Sequence, residues 1–341
     1  MIRIEACETG FLELSLRSTF RTHWKTIRNH KTVIVRLRAG DVWGEGEAYT
    51  LEPEAVLAAL AATDLIGRDA WDVEPILAGI SDHAACSAVD LALHDLLGRV
   101  VGLPAWRLLG LPPAERTSCF SIGIGDREEM LAVARARIEE GYPILKIKLT
   151  TTVDPAIVHE IRAIGGDGPR IWVDANQAFD PEEAVAVARA IAPARVEIFE
   201  QPLPVGMLDV YARIRPRIEI PIFLDEEIRG PGDVARAARA GGVDGINVKL
   251  AKMGGLREAL RAIHVARAHG MSVLLGCFFE SSLGIAGSAQ LLGLADHVDL
   301  DSPLHVENDP YRGLELRKGA IRPPVGPGLG VERGRSTCTG S

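Results

Sequence analysis

The chain lacks the features that mark several large classes of protein. Its five cysteines are scattered without a CxxC or paired spacing, which argues against a disulfide framework or a zinc site and fits a reducing compartment. No apolar run approaches the roughly 20 residues that a membrane span requires, and the N-terminus does not read as a signal peptide. With a formal net charge of −8 and no block of lysine or arginine, neither nucleic acid nor an anionic membrane is an expected partner. We therefore expect a cytoplasmic protein that acts on a small molecule.

What the sequence does contain is a regular series of short apolar runs, each ending in a charged residue. The ends at Lys148, Asp174, Glu200, Asp225 and Lys249 follow one another at steps of 24 to 26 residues, and each gap has room for a helix. That rhythm is typical of consecutive strand–helix units in a parallel sheet. We place eight strands near 118–123, 144–149, 170–174, 196–200, 221–225, 244–249, 272–277 and 297–301. If the sheet closes into a barrel, the charged ends meet at the rim where the active sites of such barrels lie.

Three acids at consecutive strand ends, Asp174, Glu200 and Asp225, predict a metal site. A single acid in this position is more often structural, but three carboxylates brought together repel one another and need a compensating cation. Carboxylate oxygens suit Mg²⁺. Asn176 and Glu226 lie just beyond two of these acids, where they either orient the ligands or are ordinary polar residues of the rim loops.

Two lysines, Lys148 and Lys249, are the candidate bases. They lie on the second and sixth strands, across the barrel from each other, so one carbon between them could lose a proton from one face and regain it on the other. That 1,1-proton transfer is an epimerisation. A free lysine has a pKa of about 10.4 and is a poor base at neutral pH. Lys146 is expected either to contact the carboxylate of the substrate or to tune Lys148.

Two further charged residues have weaker predictions. Glu280 ends the seventh apolar run, and we expect it to pair with a lysine or to shape the surroundings of the metal. Lys252, in LAKMGG after the sixth strand, is predicted to be a loop lysine.

The part before the barrel predicts a smaller α+β unit. Residues 1–50 alternate in the manner of an antiparallel sheet, except for a polar and basic stretch at 17–31 that we predict to be a long loop. Residues 52–108 are largely helical by their apolar spacing. We predict a capping domain over 1–112, completed by 311–330 as a hairpin that rejoins the N-terminal sheet. A barrel over 113–310 and a flexible tail over 331–341 complete the expected organisation.

The ordered motifs resemble the enolase superfamily, within its muconate lactonizing enzyme subgroup. They are KIK (146–148), DAN (174–176), EQP (200–202), DE (225–226) and VKLAKMGG (248–255), with SAVDLALHDLLG (87–98) in the helical part. The resemblance covers essentially residues 1–330 and is specific as a set, although each motif alone is weak. It implies an α/β fold in which an α+β capping domain covers a (β/α)7β TIM-like barrel.

A finer resemblance lies at the last strand, where VDLDSPL carries Asp299 and Asp301. Alternation places the two acids on one side of the strand. This element is similar to that of the dipeptide epimerases, in which the two acids hold the α-ammonium group of the substrate. The competing interpretation is a pair of solvated acids. Lys25 falls where that family places a cationic residue that meets an acidic substrate side chain, and Trp24 is its neighbour in the same predicted loop.

The leading hypothesis is thus a Mg²⁺-dependent dipeptide epimerase that acts at the α-carbon of the C-terminal residue through an enediolate. An N-acylamino acid racemase or a muconate-type cycloisomerase is the alternative within the fold, and a relative that only binds a metal or ligand is the alternative outside catalysis. A phosphate-binding barrel is disfavoured because no GxGxxG-like loop lies near strands seven and eight. Such barrels often assemble into homo-oligomers, but no sequence feature identifies an interface.

Overall fold

The structure is a computed structural model that describes residues 1–334. Its strands are β1 (Ala6–Arg21), β2 (Thr26–Ala39), β3 (Val42–Tyr49), β4 (Arg116–Thr117), β5 (Phe120–Ile122), β6 (Ile144–Lys148), β7 (Arg170–Asp174), β8 (Val196–Glu200), β9 (Ile222–Leu224), β10 (Gly245–Val248), β11 (Ser272–Gly276), β12 (His297–Asp299), β13 (Tyr311–Arg312), β14 (Leu316–Arg317), β15 (Ala320–Ile321) and β16 (Glu332–Arg333). Its α-helices are α1 (Pro53–Ala61), α2 (Val73–Leu77), α3 (His83–Val101), α4 (Ala105–Leu108), α5 (Arg127–Glu139), α6 (Ala156–Gly165), α7 (Pro181–Ile191), α8 (Leu208–Ile214), α9 (Pro231–Ala240), α10 (Leu250–Met253), α11 (Leu256–Ala268), α12 (Ser282–Ala289) and α13 (Ser302–His305).

The barrel consists of eight parallel strands in the order in which they occur along the chain, β5 to β12. It closes where Ser118 bridges Val298 and the Cys119 amide donates to the Val298 carbonyl at 3.0 Å. The eight predicted strands are therefore confirmed, with ends that differ by up to three residues. Helices that begin with an acidic cap, such as α7 with Asp180 accepting from the Glu183 amide, separate the strands.

The interior of the barrel explains why the charged residues converge. A compact internal cluster contains Cys119, Ile144, Trp172, Ile198, Phe223 and Leu274. Trp172, Ile198 and Phe223 each lie two residues before one of the predicted metal ligands. Because side chains alternate along a strand, the acid that ends each of these strands faces the same interior, one layer above the apolar cluster.

The N-terminal sheet is an antiparallel meander in the order β1-β2-β3, and α3 packs against its inner face. Val33, Val35 and Leu37 of β2 share a buried core with α3. Asp82 caps α3 by accepting from the Ala85 amide at 2.8 Å. The far side of α3 contacts α10 and α11, so this helix joins the sheet to the barrel.

The polar stretch at 17–31 is not the long loop that its composition predicts. β1 continues to Arg21 and β2 begins at Thr26, so only four residues form the turn, closed by the Thr22 amide donating to the Lys25 carbonyl at 2.8 Å. The alternation is hard to see because the register shifts between Ser15 and Phe20. Such an irregularity moves side chains to the opposite face of the strand.

The C-terminal segment also differs from its prediction. It does not rejoin the N-terminal sheet: β14 and β15 pair with β4 in a separate small sheet, and β13 pairs with β16. Since β16 is paired, residues 332–333 are not part of a frayed tail, while 335–341 of that predicted tail lie outside the described residues. Near Gly328 the chain instead packs on α3 and α4, with the Leu329 amide donating to Asp95 at 2.8 Å. The predicted domain boundaries remain a prediction.

Within residues 1–334, no helix has both the length and the apolar character that crossing a membrane requires.

Candidate active site

A cavity of about 780 Å³ lies at the carboxyl ends of the barrel strands, beneath the β1–β2 hairpin. Its barrel side carries the charged residues Lys146, Lys148, Asp225, Lys249, Asp299 and Asp301. Its other side is supplied by the N-terminal sheet and includes Phe20, Trp24, Lys25, Ile27 and Tyr49. The chemistry of the site is thus carried by the barrel and enclosed by the N-terminal unit.

Lysine 146 lies at the centre of the charged cluster. Its Nζ is 2.9 Å from Asp174 Oδ2, 2.8 Å from Glu200 Oε2 and 2.7 Å from Asp299 Oδ2. Burial lowers the pKa of this ammonium group, but the three carboxylates outweigh burial and the pKa lies well above its usual value. Lys146 therefore acts as a fixed cation that links the predicted metal ligands to the last strand.

The two candidate bases each face one carboxylate. Lys148 Nζ lies 2.6 Å from Asp174 Oδ2, and Lys249 Nζ lies 2.7 Å from Asp225 Oδ2. Both lysines line the cavity. They belong to the second and sixth of eight barrel strands and thus face each other across the interior, as the sequence predicts.

Lys252 is not the loop lysine that we predicted. It lies on α10, where its side chain is only 9% exposed, and its Nζ contacts both Oδ1 and the backbone carbonyl of Asp225 at 2.5 Å. A single helical turn after Lys249 brings it back to the rim, and His83 of α3 bonds the Lys252 carbonyl from the other side. Burial raises the pKa of Asp225, but Lys249 and Lys252 outweigh it and hold that pKa far below its usual range.

The donor set fits a divalent cation by its chemistry. Within residues 1–334 no three acidic, His or Cys side chains stand close enough to hold a metal as they are, because lysine ammonium groups lie between the carboxylates. Glu200 Oε2 is nonetheless a buried oxygen without a hydrogen-bond donor. Burial and the nearby Asp174 raise the pKa of Glu200 to about 7. An acid so short of compensating charge is where an added cation would be most stabilising.

The charge balance of the cluster points the same way. Six carboxylates lie at this rim, namely Asp174, Glu200, Asp225, Glu226, Asp299 and Asp301. Four lysines oppose them, namely Lys146, Lys148, Lys249 and Lys252. The formal excess is therefore −2, which one Mg²⁺ ion would neutralise.

The residues beyond the acids do orient them. The Asn176 amide donates to Asp174 Oδ1 at 3.0 Å, and Asn176 Nδ2 donates to Glu226 Oε1 at 3.1 Å. Asn176 also has a φ of +43°, a strained backbone for a residue other than glycine. This is the orienting role that the sequence suggests for Asn176 and Glu226.

Two residues that orient ligands were missed. Asn247 Nδ2 donates to Glu200 Oε1 at 2.8 Å, and Gln201 Oε1 accepts from the Asp225 amide at 2.9 Å. Asn247 had a signal, because it lies two residues before Lys249 in β10 and so faces the same interior. Gln201 is part of the EQP motif, but nothing in the sequence indicates that its side chain turns toward the next strand.

Asp299 and Asp301 both line the cavity, and both are at most 5% exposed. They meet at Ser121 of the first barrel strand: Asp301 Oδ2 accepts from the Ser121 amide at 2.6 Å, and Asp299 Oδ1 accepts from the Ser121 hydroxyl at 3.4 Å. Cys119 Sγ lies 3.0 Å from Asp299 Oδ1. The pair is therefore a built feature of the cavity wall and not two solvated acids.

The hairpin residues Trp24 and Lys25 reach the cavity, but Arg28 does not line it. Trp24 Nε1 donates to the Asn176 carbonyl at 2.8 Å, which fixes the hairpin tip to the rim although 61% of the side chain is exposed. Arg28 pairs weakly with Glu307 at 3.8 Å. Lys25 forms no ion pair within residues 1–334, and partial burial lowers its pKa.

Glu280 does not pair with a lysine, contrary to the prediction. β11 ends at Gly276, and the apolar run continues only because Phe278 and Phe279 pack on the N-terminal unit. Phe278 stacks on Tyr49 with ring centroids 4.6 Å apart and lies under Lys249 Nζ at 4.7 Å. Glu280 is thereby left behind the cavity wall, where it accepts only from the Phe278 amide at 3.2 Å.

A closed eight-stranded barrel with lysines on strands two and six, acids on strands three to five and an α+β unit over its rim defines an enolase-type protein. The family model described as Enolase C-terminal domain-like matches residues 129–335, and the one described as Mandelate racemase / muconate lactonizing enzyme, N-terminal domain matches residues 11–110. The chain therefore belongs to the enolase superfamily, and it is an enzyme of the isomerase class.

Curated relatives and solved structures narrow the comparison. The chain is 35% identical to L-Ala-D/L-Glu epimerase of Bacteroides thetaiotaomicron over 94% of this chain and 85% of that protein. It is 34% identical to hydrophobic dipeptide epimerase of Roseobacter litoralis over 84% of each. Its fold matches the crystal structure of dipeptide epimerase from Enterococcus faecalis complexed with Mg and L-Leu-L-Tyr, with a TM-score of 0.93 and 27% identity over 97% of this chain and 100% of that one.

Proposed function

We propose that this protein is a Mg²⁺-dependent dipeptide epimerase that inverts the α-carbon of the C-terminal residue through an enediolate. The observation that carries the proposal is the combination, in one cavity, of two opposed lysines with a buried pair of acids at the last strand. The named dipeptide epimerases among its relatives support the same activity.

The two lysines supply the proton transfer. Lys148 and Lys249 approach the cavity from opposite sides of the barrel, so each faces one side of a substrate α-carbon held between them. One lysine removes the α-proton and the other returns a proton to the opposite face, which inverts the centre. Because the transfer needs one neutral amine at a time, the contacts of Lys148 with Asp174 and of Lys249 with Asp225 must loosen when substrate binds.

The acids at strands three to five would hold the metal. Asp174, Glu200 and Asp225 are its ligand candidates, oriented by Asn176 and Asn247. When bound, Mg²⁺ supplies Lewis-acid stabilisation of the negative charge that develops on the substrate carboxylate.

The remaining contacts suit the two ends of a dipeptide. Asp299 and Asp301 form an anionic wall that favours a free α-ammonium group and disfavours an acyl group. At the mouth, Lys25 is partly buried and unpaired within the described chain, so an acidic second side chain would restore its lost interactions. We therefore propose L-Ala-L-Glu-like dipeptides as the first substrates to test.

The alternatives within the fold are less well supported. An N-acylamino acid racemase or a muconate-type cycloisomerase would place an apolar or anionic group against Asp299 and Asp301. Two buried carboxylates oppose this placement, because burying a further negative charge or an unpaired carbonyl beside them is unfavourable.

The test is α-proton exchange in D₂O with Mg²⁺ and a library of L,L-dipeptides, followed by mass spectrometry and chiral separation. We expect deuterium at the C-terminal α-carbon together with epimerisation, both lost in EDTA and restored by Mg²⁺. Lys148→Ala and Lys249→Ala should each reduce epimerisation by about 10²-fold or more. Each variant should keep exchange with only one epimer, and the retained epimer should differ between the two variants.

Lys318→Ala is the control, because Lys318 lies in an exposed turn between β14 and β15. Turnover of N-acyl amino acids without any exchange of dipeptides would reject the dipeptide substrate and keep the two-base chemistry. If both lysine variants kept exchange with the same epimer, the two-base mechanism would be rejected.

A further inference from the structure

The two oxygens of Asp301 have different surroundings. Oδ2 accepts from the Ser121 amide at 2.6 Å and lies 3.1 Å from His305 Nε2. Oδ1 accepts no hydrogen bond from residues 1–334, and Asp301 lines the cavity. One oxygen is thus fixed by the protein, and the other is available to a ligand.

His305 is held by three separate parts of the structure. Its ring centroid lies 5.3 Å from that of Phe20 in β1, 4.9 Å from that of Phe120 in β5 and 5.6 Å from that of Phe279 after β11. The chain directly after it pairs with β1, where the Glu307 amide donates to the Ser15 carbonyl at 2.8 Å. The imidazole has therefore little freedom to turn away from Asp301.

The direction of the hydrogen bond follows from the state of Asp301. Burial raises the pKa of Asp301, but His305 and the Ser121 donor outweigh it, so the pKa lies below its usual range and the acid is ionised at neutral pH. An ionised carboxylate only accepts hydrogen bonds, so Nε2 of His305 must carry the hydrogen. His305 then fixes the plane of the carboxylate, which decides where Oδ1 lies.

We propose that His305 is a positioning residue for the substrate: through Asp301 it sets the affinity of the site for a free α-ammonium group. This inference rests on the proposed dipeptide function and adds to it a residue that does not touch the substrate. Loss of the donor would let the carboxylate rotate, and the ammonium contact would weaken while the two lysines and the metal ligands kept their places.

Two variants separate positioning from packing. His305→Phe keeps an aromatic ring among Phe20, Phe120 and Phe279 but removes the donor. His305→Gln removes the ring but places an amide N–H near the position of Nε2. If His305 positions Asp301, the Phe variant loses affinity and the Gln variant recovers most of it. If the ring matters only for packing, the order is reversed.

The measurement compares the best L-Ala-L-Xaa substrate with propionyl-L-Xaa, in which a hydrogen replaces the ammonium group. For His305→Phe we expect KM for the dipeptide to rise about tenfold or more, as for loss of a hydrogen bond to a charged group. The inhibition constant of the propionyl compound, kcat and Mg²⁺ affinity should each change by less than about threefold.

The matched control is His94, which forms another buried His–Asp pair four residues apart, with Nδ1 2.9 Å from Asp90 Oδ1. His94→Phe and His94→Gln should change thermal stability but not the ratio of dipeptide KM to propionyl inhibition constant. An unchanged KM in His305→Phe, or an equal rise for both compounds, would overturn the inference while the epimerase stands. If wild-type protein exchanged no dipeptide at all, the proposed function would fail and this inference would fall with it.

Discussion

Glu280 is a buried carboxyl group with little to stabilise its charge, and we predict that Glu280→Gln flattens the pH dependence of folding stability. The residue is 3% exposed, and its oxygens receive one hydrogen bond, from the Phe278 amide. Burial raises its pKa most and the neighbouring Glu47 raises it further. The Phe278 amide and Lys249 oppose the shift, which leaves the pKa at about 8.

The sign and size of the effect follow from linkage. The unfolded chain has a glutamate pKa of 4.5, so between pH 4.5 and 8 the folded protein holds a proton that the unfolded chain has released. The stability contributed by this proton is fully present below pH 4.5 and is lost as the pH rises through 8. One pKa unit corresponds to about 1.4 kcal/mol, so between pH 5 and 9 the wild-type protein should lose about 4 kcal/mol through this group.

The assay is urea unfolding followed by far-ultraviolet circular dichroism at pH 5, 7 and 9, in EDTA so that no metal perturbs the site. Relative to wild type, the free energy of unfolding of Glu280→Gln should rise by about 4 kcal/mol between pH 5 and pH 9. Glu219→Gln, which changes an exposed glutamate, is the control and should give a constant difference. Parallel pH profiles for Glu280→Gln and wild type would refute the argument from burial.

Two further predictions concern residues whose roles only the structure shows. Asn247→Leu removes the donor to Glu200 Oε1, and we expect Mg²⁺ affinity measured by isothermal titration calorimetry to fall about tenfold; equal affinity would mean that Glu200 does not need this orientation. Gly255→Ala places a methyl group 2.4 Å from Asp90 Oδ2 at a φ of +105°, and urea unfolding should show a loss of about 2–4 kcal/mol. A loss below about 0.5 kcal/mol would show that α3 can shift away from α11.

The barrel and its reactive residues are predictable from sequence because one physical rule generates both. Strands buried on both faces must be nearly continuous apolar runs, so a charged residue at the end of such a run stands out. Equal spacing of those ends then implies that they meet at one rim. Asp174, Glu200 and Asp225 stand out in this way, and the structure places all three among the lysines of the cluster.

What the sequence does not reveal depends on contacts between distant parts of the chain. Lys252 looks like a solvated loop residue until α10 turns it onto Asp225. His305 and Gln201 have no local pattern, since their partners lie on other strands. The β1–β2 hairpin is obscured because it projects over the barrel without a face buried along its whole length, so its composition resembles that of a loop.

The seam between the N-terminal unit and the barrel is where substrate selection can change independently of the proton transfer. Glu47 of β3 accepts from the Ser281 and Gly284 amides at 3.0 and 3.1 Å, which ties the sheet to the start of α12. His305 is locked to β1 in the same way on the other side of the cavity. The lysines and their acids lie below this seam, on the strands themselves. Substitutions in the seam should therefore alter which dipeptide binds and how tightly, whereas substitutions at the strand ends should abolish inversion for every dipeptide alike.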